Sequence, residues 1–381
     1  MLHHAPTLSI VPRFSLVSLL IVLVGCEARS IPSEVSSPVS SSTAVHTPVA
    51  PPRTTASPLN PPVDVKMGVL NIAGDAGIYI ALERGYFTDE GLRVELVSFR
   101  SGQEQIPALA TNQIQFGSGS LDVSLLNAVA RDIHLRIVQD KGRNSSAYSG
   151  AGIVVRTDLY TDGSLDEIQE LQGKTLAISV IGTTTDLYLE RALAQAGLTL
   201  DDINLTIIPI VNMTSALANR AVDAAWMFEP FTAQALIADV GRILIDTSKI
   251  APHFYSQFLL VSEQFAQQNP EAVRRFVTAH LRGQRDYYYA FVSGERTEDR
   301  EAIIEYLIKY TAVKDRTLYD RMGYGAVEPN GYIDPTVLEE FQDWAFQKGR
   351  LAQKVDIHKL IDPQYVQYAV ERLGRLPERF R

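Results

Sequence analysis

The chain opens on an apolar run over residues 14–24, preceded by a single basic residue, Arg13. That run has the length of a signal-peptide core and is too short to span a bilayer comfortably. From Glu27 to Pro62 the apolar periodicity disappears. Eight of the chain's 19 prolines fall there, among Ser and Thr at residues 40–43 and 54–55. Such a segment has little to bury and reads as an extended, mobile tether. From Val63 onward, strand-like and helix-like stretches alternate. Residues 65–70, 92–97, 114–117 and 135–138 read as strands, with helices over 78–84, 103–111 and 123–130. A second cycle follows, with strands at 174–180, 204–209 and 224–227 and helices at 185–196 and 215–219. Beyond residue 270 the pattern is mostly helical, over 271–282, 300–310, 336–348 and 364–373. Alternation of this kind builds parallel sheets with crossover helices, so the fold class is α/β.

Composition narrows the function classes. Of 381 residues, 46% are hydrophobic and 21% charged, which is ordinary for a globular protein. The net charge of -9 leaves no basic surface for nucleic acid. The one cysteine, Cys26, cannot form an internal disulfide. It directly follows Leu23-Val24-Gly25, which looks like a bacterial lipobox: cleavage at the small Gly25 frees a thiol nucleophile that takes a diacylglycerol. Cys26 is therefore the expected lipidation site. The mature chain loses Arg13 with the leader, which takes its net charge to -10. The expected location is the extracytoplasmic face of the cell membrane, held by the lipid anchor.

In open α/β sheets, ligands bind beyond the carboxyl ends of strands, near helix N-termini. Five loops meet that rule, at residues 71–77, 99–103, 117–122, 139–149 and 181–186, joined by the 226–231 stretch. They supply the candidate ligand-binding residues Asp75, Tyr79, Gln103, Ser118, Gly119, Asn144, Tyr148, Thr183, Thr184, Tyr188, Trp226, Phe228 and Glu229. Each has a structural reading beside the functional one. Gly119 serves a strand-end turn or a close backbone approach by ligand. Thr183 and Asp186 stand at capping-box spacing. Asp75 caps the next helix or accepts from a ligand. Trp226 and Phe228 alternate in a strand, so both face one side, in the core or at a loop mouth. No H-E-x-x-H, G-x-S-x-G or Walker spacing occurs, so no catalytic residue, metal or cofactor is expected.

Several segments resemble a known family. They begin with Gly77-Ile78-Tyr79-Ile80-Ala81-Leu82-Glu83-Arg84-Gly85-Tyr86-Phe87, followed by Glu90-Gly91-Leu92-Arg93-Val94-Glu95-Leu96. Then come Leu171-Gln172-Gly173-Lys174-Thr175-Leu176-Ala177, Ala196-Gly197-Leu198, Ala221-Val222-Asp223-Ala224-Ala225-Trp226, and Leu259-Leu260-Val261-Ser262 leading to Asn269-Pro270-Glu271. In this order they resemble the ABC-transporter substrate-binding proteins for nitrate, sulfonates, taurine and thiamine or flavin precursors. The resemblance implies a type II periplasmic-binding-protein fold, with two lobes of mainly parallel sheet joined by two crossover strands. The crossovers are expected near residues 153–155 and 258–261, which makes lobe one 63–153 plus 260–381 and lobe two 154–259. It further implies a small-molecule ligand held between the lobes and a membrane permease as partner.

Charge and aromatic content shape the expected ligand. Asp75, Glu104, Asp122, Asp140, Asp186 and Glu229 outnumber Arg100, Lys141 and Arg143 in these loops. With Tyr79, Tyr148, Tyr188, Trp226 and Phe228 nearby, they favour a neutral, flat, hydrogen-bonding molecule. Riboflavin is the first expectation, since the pattern looks most like riboflavin-binding components. The alternatives within the family are a thiamine pyrimidine precursor, or nitrate, a sulfonate or taurine. Outside that role stand a pyrimidine-synthase-like enzyme and a ligand-sensing accessory lipoprotein.

Overall fold

The computed structural model describes residues 56–144, 150–252 and 255–377. Cys26 and Tyr148 lie outside them. The strands are β1 (Val63–Val69), β2 (Leu92–Ser98), β3 (Phe116–Gly119), β4 (Leu135–Arg143), β5 (Ala151–Arg156), β6 (Thr175–Ile178), β7 (Asn204–Ile207), β8 (Ala224–Phe228), β9 (Gly241–Asp246) and β10 (Tyr255–Ser262). The helices that matter below are α1 (Ala76–Glu83), α2 (Gly102–Ala110), α3 (Val123–Ala130), α4 (Thr184–Gln195), α5 (Ile210–Ala218), α6 (Phe231–Ile237), α7 (Pro270–Tyr287) and α8 (Pro335–Gln347).

The strands form two five-stranded sheets, in the orders β2-β1-β3-β10-β4 and β7-β6-β8-β5-β9. In the first, β1 runs parallel to β2 and β3, while β10 is antiparallel to β3 and β4. In the second, β6 is parallel to β7 and β8, while β5 is antiparallel to β8 and β9. The chain passes from the first sheet to the second between β4 and β5, and returns between β9 and β10. Both passages lie ahead of the segments expected for them: residues 153–155 are inside the second sheet and 258–261 inside the first.

Strand alternation explains how the second sheet is buried. Ala224, Trp226, Leu176, Ile178, Ile153 and Val155 face one hydrophobic cluster, whereas Ala225, Met227, Ala177 and Val154 face another. The two sets are offset by one residue, as a pleated strand buried on both faces requires. The first cluster also takes Leu109 of α2, Leu125 of α3, Phe258 of β10 and Phe341 of α8, so it joins the two sheets. The folded body begins earlier than Val63. Leu59 N donates to Glu90 O at 3.3 Å and packs against the core of the first sheet, so the end of the expected tether is tied down.

Candidate functional site

The carboxyl ends of β1, β3 and β4 form the floor of the site on the first lobe. Asp75, fully buried, follows β1 and accepts at Oδ1 from Lys141 Nζ at 2.6 Å and from Ser118 Oγ at 2.7 Å. Its Oδ2 accepts from Leu70 N at 2.8 Å and from the Tyr79 hydroxyl at 3.4 Å. The side chain makes no cap bond to α1, so the helix start is not what holds Asp75 there. Lys141 spends its other two donors on Gly74 O at 2.8 Å and Gln257 Oε1 at 2.9 Å. Burial pushes the Lys141 ammonium down, and the Asp75 and Asp140 carboxylates oppose that shift. Tyr79 stacks on Tyr310 with ring centroids 4.8 Å apart.

A second group forms where the two lobes meet. Asp122 caps α3, accepting from Leu125 N at 2.8 Å and from Ser120 Oγ at 3.4 Å, with the Gln103 side chain near enough to favour the charged carboxylate. Burial nevertheless pushes Asp122 up to about 6. Thr183 caps α4, accepting from Thr185 N at 3.2 Å. The two caps pair as an isolated antiparallel bridge across the lobes, and Val123 N donates to Gly182 O at 2.9 Å. Thr184, the first residue of α4, is buried beside them. One turn on, Asp186 accepts from Gly182 N at 2.8 Å and from Arg350, which follows α8. Trp344 Nε1 of α8 donates to Glu190 of α4 at 3.0 Å. The starts of α3 and α4 thus meet from opposite lobes, with Val123 N and Leu125 N already bonded to Gly182 O and Asp122 Oδ1 and Thr185 N to Thr183 Oγ1; what the two starts share is the positive end of each helix dipole.

The remaining candidates fall elsewhere. Asn144, directly after β4, donates to Thr247 Oγ1 between β9 and β10. Glu229 accepts from Ala233 N in α6 and from Gly323 N, both at 3.0 Å, and burial pushes its carboxyl up. Tyr188 and Trp226 are 2% and 1% exposed and belong to the cluster that joins the sheets, with Phe228 packed against it. Their ring faces are covered by protein, and among the described residues Trp226 Nε1 has no hydrogen-bond partner. Gly119 lies within β3, where a Cβ would stand 2.4 Å from Leu260 Cδ1, so close packing rather than a turn demands glycine. Among the described residues, no group of three or more His, Cys, Asp or Glu could hold a metal ion.

The acid excess of these loops also looks different in three dimensions. Asp75 is paired with Lys141, Asp140 lies 3.6 Å from Arg143, and Asp186 is paired with Arg350. Asp122, Glu104 and Glu229 accept backbone N–H groups at helix starts or nearby. Asp75, Asp140 and Asp186 are thus matched by cations within the fold, whereas Asp122, Glu104 and Glu229 are held by backbone N–H groups alone. Gln257, Thr247 and Arg350 escape the sequence pattern because their partners are 96 to 164 residues away and no local spacing marks them.

Residues 59–307 match the model of the NMT1-like family. The chain belongs to that family. A putative aliphatic sulfonates-binding protein of Bacillus subtilis (strain 168) is 24% identical over 305 residues, covering 77% of this chain and 85% of the relative. Among solved structures, the periplasmic nitrate-binding protein NrtA from Synechocystis PCC 6803 superposes with a TM-score of 0.66 at 16% identity, covering 84% of this chain and 90% of that one. The periplasmic aliphatic sulphonate binding protein SsuA from Escherichia coli gives 0.64 at 20%, covering 79% and 97%. The fold is therefore the two-lobed periplasmic-binding-protein architecture that the motifs resembled, and these relatives of the NMT1-like chain are binding proteins rather than enzymes.

Proposed function

We propose that this NMT1-like protein is the extracytoplasmic substrate-binding component of an ABC-type uptake system. It captures a small oxyanion, of the sulfonate, nitrate or taurine class, between its lobes and delivers it to a membrane permease. Cys26, lipidated, holds the mature chain at the membrane through the Pro-rich tether. The observation that carries the ligand class is the meeting of the α3 and α4 starts at Asp122 and Thr183. Two helix N-termini aimed at one place favour negative charge.

The names of the relatives point the same way: one binds aliphatic sulfonates, another nitrate. Riboflavin loses both of its supports. Three of the six acids counted against an anion, Asp75, Asp140 and Asp186, are paired with cations inside the fold, and Tyr79, Tyr188 and Trp226 are at most 2% exposed and offer no open stacking face. The oxyanion alternative is therefore the better reading.

Calorimetric titration of the purified protein with ethanesulfonate, taurine, nitrate and riboflavin tests it. Heat is expected for at least one oxyanion, with flavin fluorescence unchanged. Quenching of riboflavin with no oxyanion heat would overturn the ligand class and leave the transport role standing.

A further inference from the structure

Ser118 stands at the end of a ladder that its own sheet does not finish. β3 pairs with β1 at Phe116 beside Met67 and at Gly117 beside Gly68, and there the register stops. A side chain of α2 supplies the next rung. Gln105 Nε2 donates to Ser118 O at 3.1 Å, and Gln105 Oε1 accepts from Ser118 N at 2.9 Å. A glutamine amide holds N–H donors and a C=O acceptor in one plane, as a peptide group does, so it replaces the missing strand residue. Gln105 and Ser118 are both fully buried, and water does not compete for either bond.

Two glycines make the slot for that amide. A Cβ at Gly68 would stand 2.5 Å from Gln105 Oε1, and one at Gly117 would stand 2.7 Å from the same atom. Neither glycine has a positive φ, so the packed side chain, not the backbone conformation, excludes a larger residue. The first turn of α2 then follows the chain beyond Ser118. A Cβ at Gly102 would lie 3.4 Å from both Gly119 Cα and Ser120 N, and the Gln103 side chain reaches toward Asp122. Residues 102, 103 and 105 thus meet the segment 118–122, which ends in the cap of α3.

We infer that Gln105 is a positioning residue for the proposed oxyanion site: its amide fixes the end of β3, and with it the turn that delivers the α3 start to the lobe interface. β3 is four residues long and two of them are glycine, so its carboxyl end has little stiffness of its own. The field of a helix end falls off within one turn, so a small displacement of the α3 start weakens its hold on an anion. Sequence pattern singles out Gln103 in the same turn but not Gln105, whose partner is a backbone group 13 residues on.

This inference rests on the oxyanion reading for its purpose, but half of its test needs no ligand. Gln105→Met keeps the length of the side chain and removes both bonds. Gly68→Ala leaves Gln105 unchanged, fills its slot, and serves if Gln105→Met fails to fold. Hydrogen–deuterium exchange of the mature chain without ligand is expected to quicken about tenfold over residues 116–122 in both variants, while β2 keeps its parent rate. Ethanesulfonate is expected to bind about three- to tenfold more weakly at a temperature where each variant is fully folded, the worth of one buried hydrogen bond. Unchanged local exchange overturns the inference. Faster exchange with unchanged affinity means a merely structural bond and overturns the positioning role. Absence of oxyanion binding in the parent protein instead overturns the functional reading, while the exchange rates still decide whether Gln105 holds the turn.

Discussion

Asp75 shows how much one buried carboxylate can carry. It accepts four hydrogen bonds, from Leu70, Tyr79, Ser118 and Lys141, and so fixes the ends of β1, β3 and β4 to one another. Removing one member of a buried ion pair strands the other charge, which typically costs about 3–5 kcal/mol, whereas replacing both members costs far less. Asp75→Asn is therefore expected to lower the urea midpoint sharply, and Lys141→Met added to it to recover part of the loss. A double-mutant cycle in urea checks this; additive losses would mean that the two side chains act independently. From sequence, Asp75 read as a helix cap or ligand contact, because its true partner stands 66 residues away. Thr183 was easier, because the cap it forms is local, although the box with Asp186 does not close: Thr183 accepts from Thr185 N and Asp186 from Gly182 N.

Helices and strands were the most legible level. The strand at Leu92–Ser98 and the helices at Val123–Ala130, Arg300–Tyr310 and Gln364–Leu373 follow directly from their apolar periods. Several elements left no such signal, two of them in lobe two. Gly241–Asp246 is an edge strand whose side chains are mostly only half-buried, so its hydrophobic alternation is weak, and Phe231–Ile237 is too short to show a helical period. Packing between elements adds constraints that no period encodes. Helices α1 and α7 cross so closely that a Cβ at Gly283 would stand 2.1 Å from Gly77 O and 3.0 Å from Ala81 N. Backbone cannot yield as a side-chain tip can, so Gly283→Ala is expected to destabilise the protein by about 1–3 kcal/mol. Chemical denaturation should show the midpoint falling with an unchanged slope, and an unaltered midpoint would mean that the helices separate freely.

At the scale of the whole molecule, the proposed function depends on two features: an anchor and a cleft that closes. The proposed anchor is a matter of covalent chemistry at Cys26. Detergent-phase partitioning of cell extracts is expected to place the parent protein with the membrane lipoproteins and Cys26→Ser in the aqueous phase. Recovery of the parent in the aqueous phase would remove the anchor from the proposal and leave the folded body's role intact. The cleft is a matter of tertiary structure, in which two helix starts from different lobes are brought together by a chain that crosses between sheets twice.

The order of most strands and helices was legible in the sequence, because periodicity and glycine-marked turns are properties of neighbouring residues, while the two-lobed architecture was implied by the family resemblance of its motifs. The proposed ligand class was not. It turns on whether acids such as Asp75 and Asp186 are free or paired, and whether the rings of Tyr188 and Trp226 are open or covered. Those questions are answered by partners such as Lys141 and Arg350, distant in the chain, which only the folded structure brings within bonding distance. Burial then gives each pairing its weight, since a charge removed from water must be matched where it lies.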